Sequence, residues 1–312
     1  MKKYTVSLVI LTYKRKSLLL SLMDSYWALK DSLAEIIIVD NKSEEGLKAA
    51  IESKYSTISV IELDENVGTE GRNIGVKAAS SDVIILLDDD VFGLSPEEIN
   101  NVLFRFEADK NLAALCFKVI HAETNELINW CHHKPKEIFS DSRFETYEIT
   151  EGAVAIRRDA FLKVGGFPGH FFISHEGPDL ALRLIDAGYS IWYDPAIVVK
   201  HHQSTLGRAS WRRYYYDTRN VIWLSVRNYS FVSSLKFLTI QLAAMFVYSL
   251  RDGFLRYYFK AIYFALKDMD KIFKERKVIS KDAELKIKLL SAEDEGFFTK
   301  AKRRIFKSGV GI

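Results

Sequence analysis

The sequence predicts an α/β fold: a Rossmann-like, mostly parallel sheet flanked by helices, with a helical C-terminal extension. Three observations predict it. Apolar, β-branched runs alternate with helically spaced segments through the first hundred residues. Those runs are continuously apolar, the pattern of strands covered on both faces. From Tyr214 onward the chain reads mostly helical, aromatic and basic.

The elements follow in order. Residues 6–11 form a short β-rich run, and 16–29 place Leu18, Leu19, Leu22 and Tyr26 on one helical face. Residues 35–39 are a second β-branched run ending at Asp40, and 58–63 are a third. Residues 69–79 read as a small-residue helix entered through Gly68, and 83–87 as a fourth strand running into Asp88, Asp89 and Asp90. The middle section carries the turn Gly165-Gly166-Phe167-Pro168 and a helix over 179–187, with Gly188 suited to its C-terminal cap. In open α/β sheets ligands bind beyond the carboxyl ends of the strands. The polar residues gather at those ends: Thr12 and Tyr13 after the first, Asp40 and Asn41 after the second, the acidic triplet after the fourth.

Bulk properties narrow the class. A chain of 312 residues, 48% hydrophobic and 27% charged, is an ordinary folded protein. A formal charge of +3 gives no reason to expect a nucleic-acid partner. Cys116 and Cys131 lie outside any CxxC pattern and read as reduced thiols of a cytosolic protein. The apolar run at 6–11 is too short for a signal peptide. In the apolar C-terminal region the longest charge-free stretch is the fourteen residues 237–250. A spanning helix needs roughly 20, so no transmembrane segment is expected, and an interfacial helix stays open.

The chemistry-bearing residues cluster in a few motifs. Adjacent carboxylates repel one another unless a cation neutralises them. If the strand stays extended, Asp88 and Asp90 share one side, a hard-oxygen site for Mg2+ or Mn2+ completed by substrate phosphates. A solvated acidic turn ahead of Ser95-Pro96-Glu97 is the plainer alternative. Asp40 is placed to bind a ribose hydroxyl or a base N–H, yet no glycine-rich phosphate loop follows the first strand, which removes the main support for a dinucleotide site. The run from Asn66 through Gly75 supplies turn-forming glycines and Arg72, suited to clamping phosphate or pairing with the triplet. Glu176, read as lying in a loop before the helix, is a candidate general base; Asp179 competes with it but also suits a helix start. Of His201 and His202, at a strand end, only one can face the aspartates.

Together these blocks resemble glycosyltransferase family 2, which has the GT-A fold, and in particular its rhamnosyltransferase-like bacterial members. Residues 9–15, 37–43, 66–75 and 86–91, the Gly165-Gly166-Phe167 turn, and 176–183 match six blocks in order. The resemblance implies a catalytic domain over 1–205, with a nucleotide-sugar half (1–110) and an acceptor half (111–205), and a helical, aromatic and basic region over 206–312 suited to membrane association. It implies transfer of a sugar from a nucleotide-diphosphate donor to a glycan or lipid-linked acceptor, usually with inversion. Thr12, Tyr13, Arg15, Asp40, Asn66, Gly68, Arg72, Asp88 and Asp89 would bind the nucleotide sugar. Asp88, Asp90 and His201 would hold the metal, and Glu176 or Asp179 would act as base. One departure stands out: the family's acceptor motif is Glu-Asp-x-Asp-Leu, and its second position is Gly177 here. A nucleotidyltransferase and an inactive sugar-nucleotide-binding protein are the rival readings.

Beyond the histidines, Arg208, Arg212, Arg213 and Arg219 interleave with Trp211 and Tyr214, Tyr215 and Tyr216. Such a mixture suits a diphosphate-linked acceptor, lipid headgroups, or a helix with a solvated basic face. The apolar segment 235–264 and the basic run 300–307 extend the case for contact with the inner face of a cell membrane.

Overall fold

The computed structural model describes residues 3–43, 46–202 and 211–296. Arg208 and the basic run 300–307 lie outside the described residues. The strands are β1 (Val6–Thr12), β2 (Glu35–Asp40), β3 (Ile58–Glu62), β4 (Val83–Asp88), β5 (Val91–Phe92), β6 (Leu112–His121), β7 (Phe144–Glu145), β8 (Ala153–Arg157) and β9 (Ser190–His201). The helices of the sheet region are α1 (Lys16–Trp27), α2 (Leu47–Glu52), α3 (Glu70–Ala78), α4 (Pro96–Ala108), α5 (Lys136–Phe139), α6 (Arg158–Lys163) and α7 (Glu176–Asp186). Then come α8 (Trp211–Asn228), α9 (Phe231–Arg251), α10 (Leu255–Lys267), α11 (Met269–Lys274) and α12 (Lys281–Leu290).

Among the described residues the strands form one nine-stranded sheet in the order β3-β2-β1-β4-β8-β6-β9-β5, with β7 beside β9. The first half is parallel, as the continuous apolar runs predict. The sheet as a whole is mixed, because β8 inserts antiparallel between β4 and β6. Registers align the functional ends: Thr12 pairs with Asp40 and Leu11 with Asp88. The antiparallel pairing of Leu87 with Ala153 then brings the residues just before β8 alongside Asp88.

Strand alternation feeds two cores. Leu8, Ile10, Ile38 and Ile85 pack with Leu19 and Met23 of α1 and Val102 and Phe106 of α4. Val9, Ile37 and Leu86 face the other side, against Val76 of α3, Leu180 and Leu184 of α7 and Trp223 of α8. Burial of each such side chain contributes roughly 1.5–3 kcal/mol. The start of α4 is closed by a capping box: Ser95 Oγ accepts from the Glu98 N–H, and Glu98 accepts from the Ser95 N–H.

Helix α8 is built into this core. Asn220 donates to the carbonyls of Phe171, Ile173 and Ser174, pinning the loop before α7. The basic residues between α7 and α9 are therefore divided. Arg219 lies over the Trp223 ring and donates to Phe171 O, whereas Arg213 pairs with Asp217 on the same helix. Helix α9 differs. It runs 21 residues, extending N-terminally past Lys236, and is long and apolar enough by length and composition to cross a membrane. The charge-free count in the sequence stopped at that lysine and so understated the helix. Only Ser234 and Ser249 of α9 are buried, while Phe231, Val232, Leu235 and Leu250 stand exposed.

Candidate active site

The strand ends converge on the acidic triplet. The extended backbone stops at Asp88, and Asp89 and Asp90 occupy a turn before β5. The alternation assumed from the sequence therefore does not continue through the triplet, and each carboxylate has its own setting. Asp88 is bound by Arg72 Nη2. Asp89 accepts from Thr12 Oγ1 at 2.7 Å and from Arg15 Nη1 at 2.9 Å. Asp90 is also bound by Arg15 and lies 3.2 Å from His201 Nε2. Burial raises the Asp89 carboxyl to about 6 despite Arg15 and Thr12. Burial pushes Asp90 the same way, but His201 and Arg15 overcome it and hold that carboxyl below its ordinary range.

The residues that the sequence assigns to the nucleotide lie at the neighbouring strand ends and in the loop before α3. Asp40 is buried and accepts the Ser43 N–H at 2.8 Å, shaping the turn after β2. Asn66 accepts the Gly68 N–H at 2.9 Å and also bonds Tyr13; that bond, then Lys14, lowers the proton affinity of the exposed Tyr13 phenol. Asn41, which the sequence offered only as a strand-end residue, ties the same loop by accepting from Val67 N and donating to Gly68 O. Gly68 has φ +60, and a Cβ there would stand 2.1 Å from Phe172 O. Gly68→Ala is therefore expected to cost about 1–3 kcal/mol of stability, read by urea unfolding, because it adds backbone strain to a clash.

Arg72 joins the two halves of the site. While one of its nitrogens binds Asp88, Nη1 lies 3.9 Å from Glu176 Oε1. The structure places Glu176 as the first residue of α7 rather than in a loop; His175, at φ 65, precedes it in the left-handed conformation. Pro178 is tolerated there because first-turn N–H groups lack intrahelical partners. Glu176 is buried, and its Oε2 has no hydrogen-bond partner. Burial raises its proton affinity, with Arg72 opposing.

Asp179 is not in this cluster. It is fully buried, held by Arg183 Nε at 2.8 Å and Nη2 at 2.5 Å, by Asn228 Nδ2 at 2.7 Å and by Arg227 at 3.3 Å. A different carboxylate takes part. Glu151, which the sequence reading missed, accepts the Gly177 N–H at 2.9 Å. Burial, then the neighbouring Glu176 carboxylate, raise Glu151 to about 8. Gly152 beside it leaves room for the triplet, since a Cβ there would lie 2.3 Å from Asp88 Oδ2.

The donor set fits a divalent cation at Asp90 and His201. Asp90 Oδ1 is buried without a well-aligned hydrogen-bond donor. Its 3.2 Å separation from His201 Nε2 suits two ligands of one ion: with bonds of roughly 2.1 Å, adjacent octahedral ligands lie about 3 Å apart. The side-chain amide of Asn129 lies 3.0 Å from His201 Nδ1; when Nε2 binds an ion, Nδ1 carries the proton and donates it to the amide oxygen, turned toward the ring. His202 turns away and stacks on Phe92. Among the described residues no three His, Cys, Asp or Glu side chains converge on one point, so substrate oxygens would have to complete the shell.

Residues 7–165, just over half of the chain, match the model of glycosyl transferase family 2. The chain belongs to that family. It is a glycosyltransferase, and family membership sets nucleotidyl transfer aside. This family 2 enzyme is 27% identical over 223 residues to the O-antigen chain rhamnosyltransferase RfbN of Salmonella typhimurium, covering 67% of this chain and 70% of that one. Solved structures share its GT-A fold. The mannosyltransferase PcManGT of Pyrobaculum calidifontis, in complex with GDP-Man and Mn2+, aligns with a TM-score of 0.55 at 15% identity, over 98% of this glycosyltransferase and 88% of that chain. GalNAc-T7 with UDP, GalNAc and Mn2+ aligns with a TM-score of 0.57 at 16% identity over 74% of the enzyme, which spans about half of that longer chain.

Proposed function

We propose that this enzyme transfers a sugar from a nucleotide-diphosphate donor to a hydroxyl of a glycan or lipid-linked acceptor in bacterial surface polysaccharide assembly, with inversion and with a divalent cation. The observation that carries the reading is the buried Asp90 oxygen facing His201 at the end of the sheet, next to an arginine-bridged acidic cluster. Likeness to an O-antigen rhamnosyltransferase supports the pathway class, and the Mn2+ named with two fold relatives supports the cation.

In this reading Thr12, Tyr13, Asp40, Asn66 and Gly68 cradle the nucleoside, and Arg15, Arg72, Asp88 and Asp89 line the diphosphate and sugar. Asp90 and His201 would hold Mg2+ or Mn2+, with substrate oxygens completing the shell and Asp88 held apart on Arg72; once bound, the cation supplies positive charge against the departing diphosphate. Arg72 orients Asp88 and Glu176 together, so donor and acceptor sides are registered by one guanidinium. The base comes from the carboxylates around Arg72. Asp179, saturated by two arginines and Asn228, anchors α7 to α8.

A thermal-shift panel of UDP-, GDP- and dTDP-sugars, with and without Mn2+, tests the donor assignment. One nucleotide sugar should raise the melting temperature in a metal-dependent way. No shift with any of them would contradict it.

We further propose that α9 and α10 rest on an anionic membrane surface. Phe231, Leu235, Leu250, Phe259, Tyr263 and Leu266 are exposed on these helices. Five basic residues and one acidic residue lie between positions 231 and 267, a composition suited to anionic headgroups. Co-sedimentation with phosphatidylglycerol vesicles at low salt should be strong and should fall with added salt. Equal recovery in the supernatant with and without vesicles would refute the contact.

A further inference from the structure

We propose that Glu151 is the catalytic base, its carboxylate filling the space at the start of α7 that Gly177 leaves empty; this rests on the sugar-transfer reading above. Glu151 Oε1 accepts the Gly177 N–H at 2.9 Å, and a Cβ on Gly177 would stand only 2.6 Å from that same oxygen. A side chain at 177 and a carboxylate from 151 are thus alternative occupants of one place. The Gly177 backbone is not in the left-handed region, so the turn itself does not demand glycine. What demands it is proximity to Glu151 and to Ile149 O, which a Cβ would meet at 2.8 Å.

Three further features fit a proton acceptor. Glu151 is partly exposed, whereas Glu176 is buried. Glu176 Oε2 is buried without a partner, next to Arg72, and its carboxylate is close enough to Glu151 to disfavour the ionisation of Glu151. Burial and then that carboxylate raise Glu151 to about 8, so its proton-accepting form grows as pH rises through that value. The pairing of β8 with β4 sets Glu151 one residue from Gly152, whose carbonyl accepts the Asp88 N–H at 3.1 Å. The base therefore adjoins the donor side. In the step, the acceptor O–H gives its proton to Glu151. Its oxygen forms a bond to the anomeric carbon, and the bond from that carbon to the diphosphate oxygen breaks, with the electron pair leaving on the nucleoside diphosphate. Glu176 is then a positioning residue that tunes Glu151.

The experiment follows hydrolysis of the nucleotide sugar that gives the largest thermal shift, with water as acceptor, by release of nucleoside diphosphate. Glu151→Gln should lower kcat about 10²–10⁴-fold while donor affinity, measured by calorimetry, stays within about twofold. Glu151→Ala should be equally slow and should regain at least about tenfold with added formate, which a merely structural defect would not do. Full activity of Glu151→Gln, or slow Glu151→Ala that formate leaves unchanged, would overturn the assignment. If the unmodified enzyme binds no nucleotide sugar, the donor reading fails first and this one falls with it.

Discussion

Asp90→Ala is expected to lower sugar transfer by about 10²–10⁴-fold, because the carboxylate that would hold the cation is lost together with several kcal/mol of transition-state stabilisation. The fold should survive. Asp90 shares Arg15 with Asp89, so removing one carboxylate still leaves the guanidinium paired. The melting temperature without metal should fall modestly, because Arg15 and His201 lose a carboxylate whose charge they favour, while the increment given by Mn2+ should vanish. His201→Ala should repeat the pattern more mildly, since a neutral imidazole contributes less charge than a carboxylate. Kinetics with Mn2+ titrated over several decades, beside melting curves, would check both. An Asp90→Ala protein with an intact metal increment would move the cation elsewhere in the triplet.

Asp179→Asn is expected to do the opposite. It should destabilise the fold by about 3–5 kcal/mol, the loss that follows when one partner of a buried ion pair is removed. Arg183 and Arg227 would face each other without their shared carboxylate, with Arg183 itself buried. Activity per folded molecule should be retained, because Asp179 has no contact with Arg72, Asp88 or Glu151 among its bonds. Urea unfolding gives the stability; transfer rate below the unfolding range gives the activity. A variant of normal stability that is a hundredfold slow would make Asp179 catalytic.

How far these residues could be read from sequence depended on where their partners lie. The N-terminal half was legible because its strands are buried on both faces and its polar residues fall at the strand ends. Runs predicted at 6–11, 35–39 and 83–87 match β1, β2 and β4 to within a residue at each end. Glu151 was not legible. It precedes a short strand, and its closeness to Asp88 and Gly177 arises from an antiparallel insertion between strands that are distant in sequence. The sequence did hold a signal of it: a glycine at 152, just before the apolar run 153–156, and a glycine at 177 where a carboxylate was expected. The surroundings of Asp179 were hidden for a related reason. Acidic residues in a first helical turn suit the dipole and a cap, but its partners Arg227 and Asn228 come from α8, nearly fifty residues on. The triplet was legible as a cluster, but its geometry was not, because the turn at Asp89 and Asp90 replaces the extended backbone that alternation requires.

Metal-dependent turnover of a nucleotide sugar is tested most directly by measuring nucleoside diphosphate release from the donor that binds, in Mn2+, after chelation with EDTA, and after Mn2+ or Mg2+ is added back. Release should stop on chelation and return with the metal, in parallel with loss and recovery of the thermal shift. Release that continues unchanged in excess EDTA would contradict a cation held at Asp90 and His201.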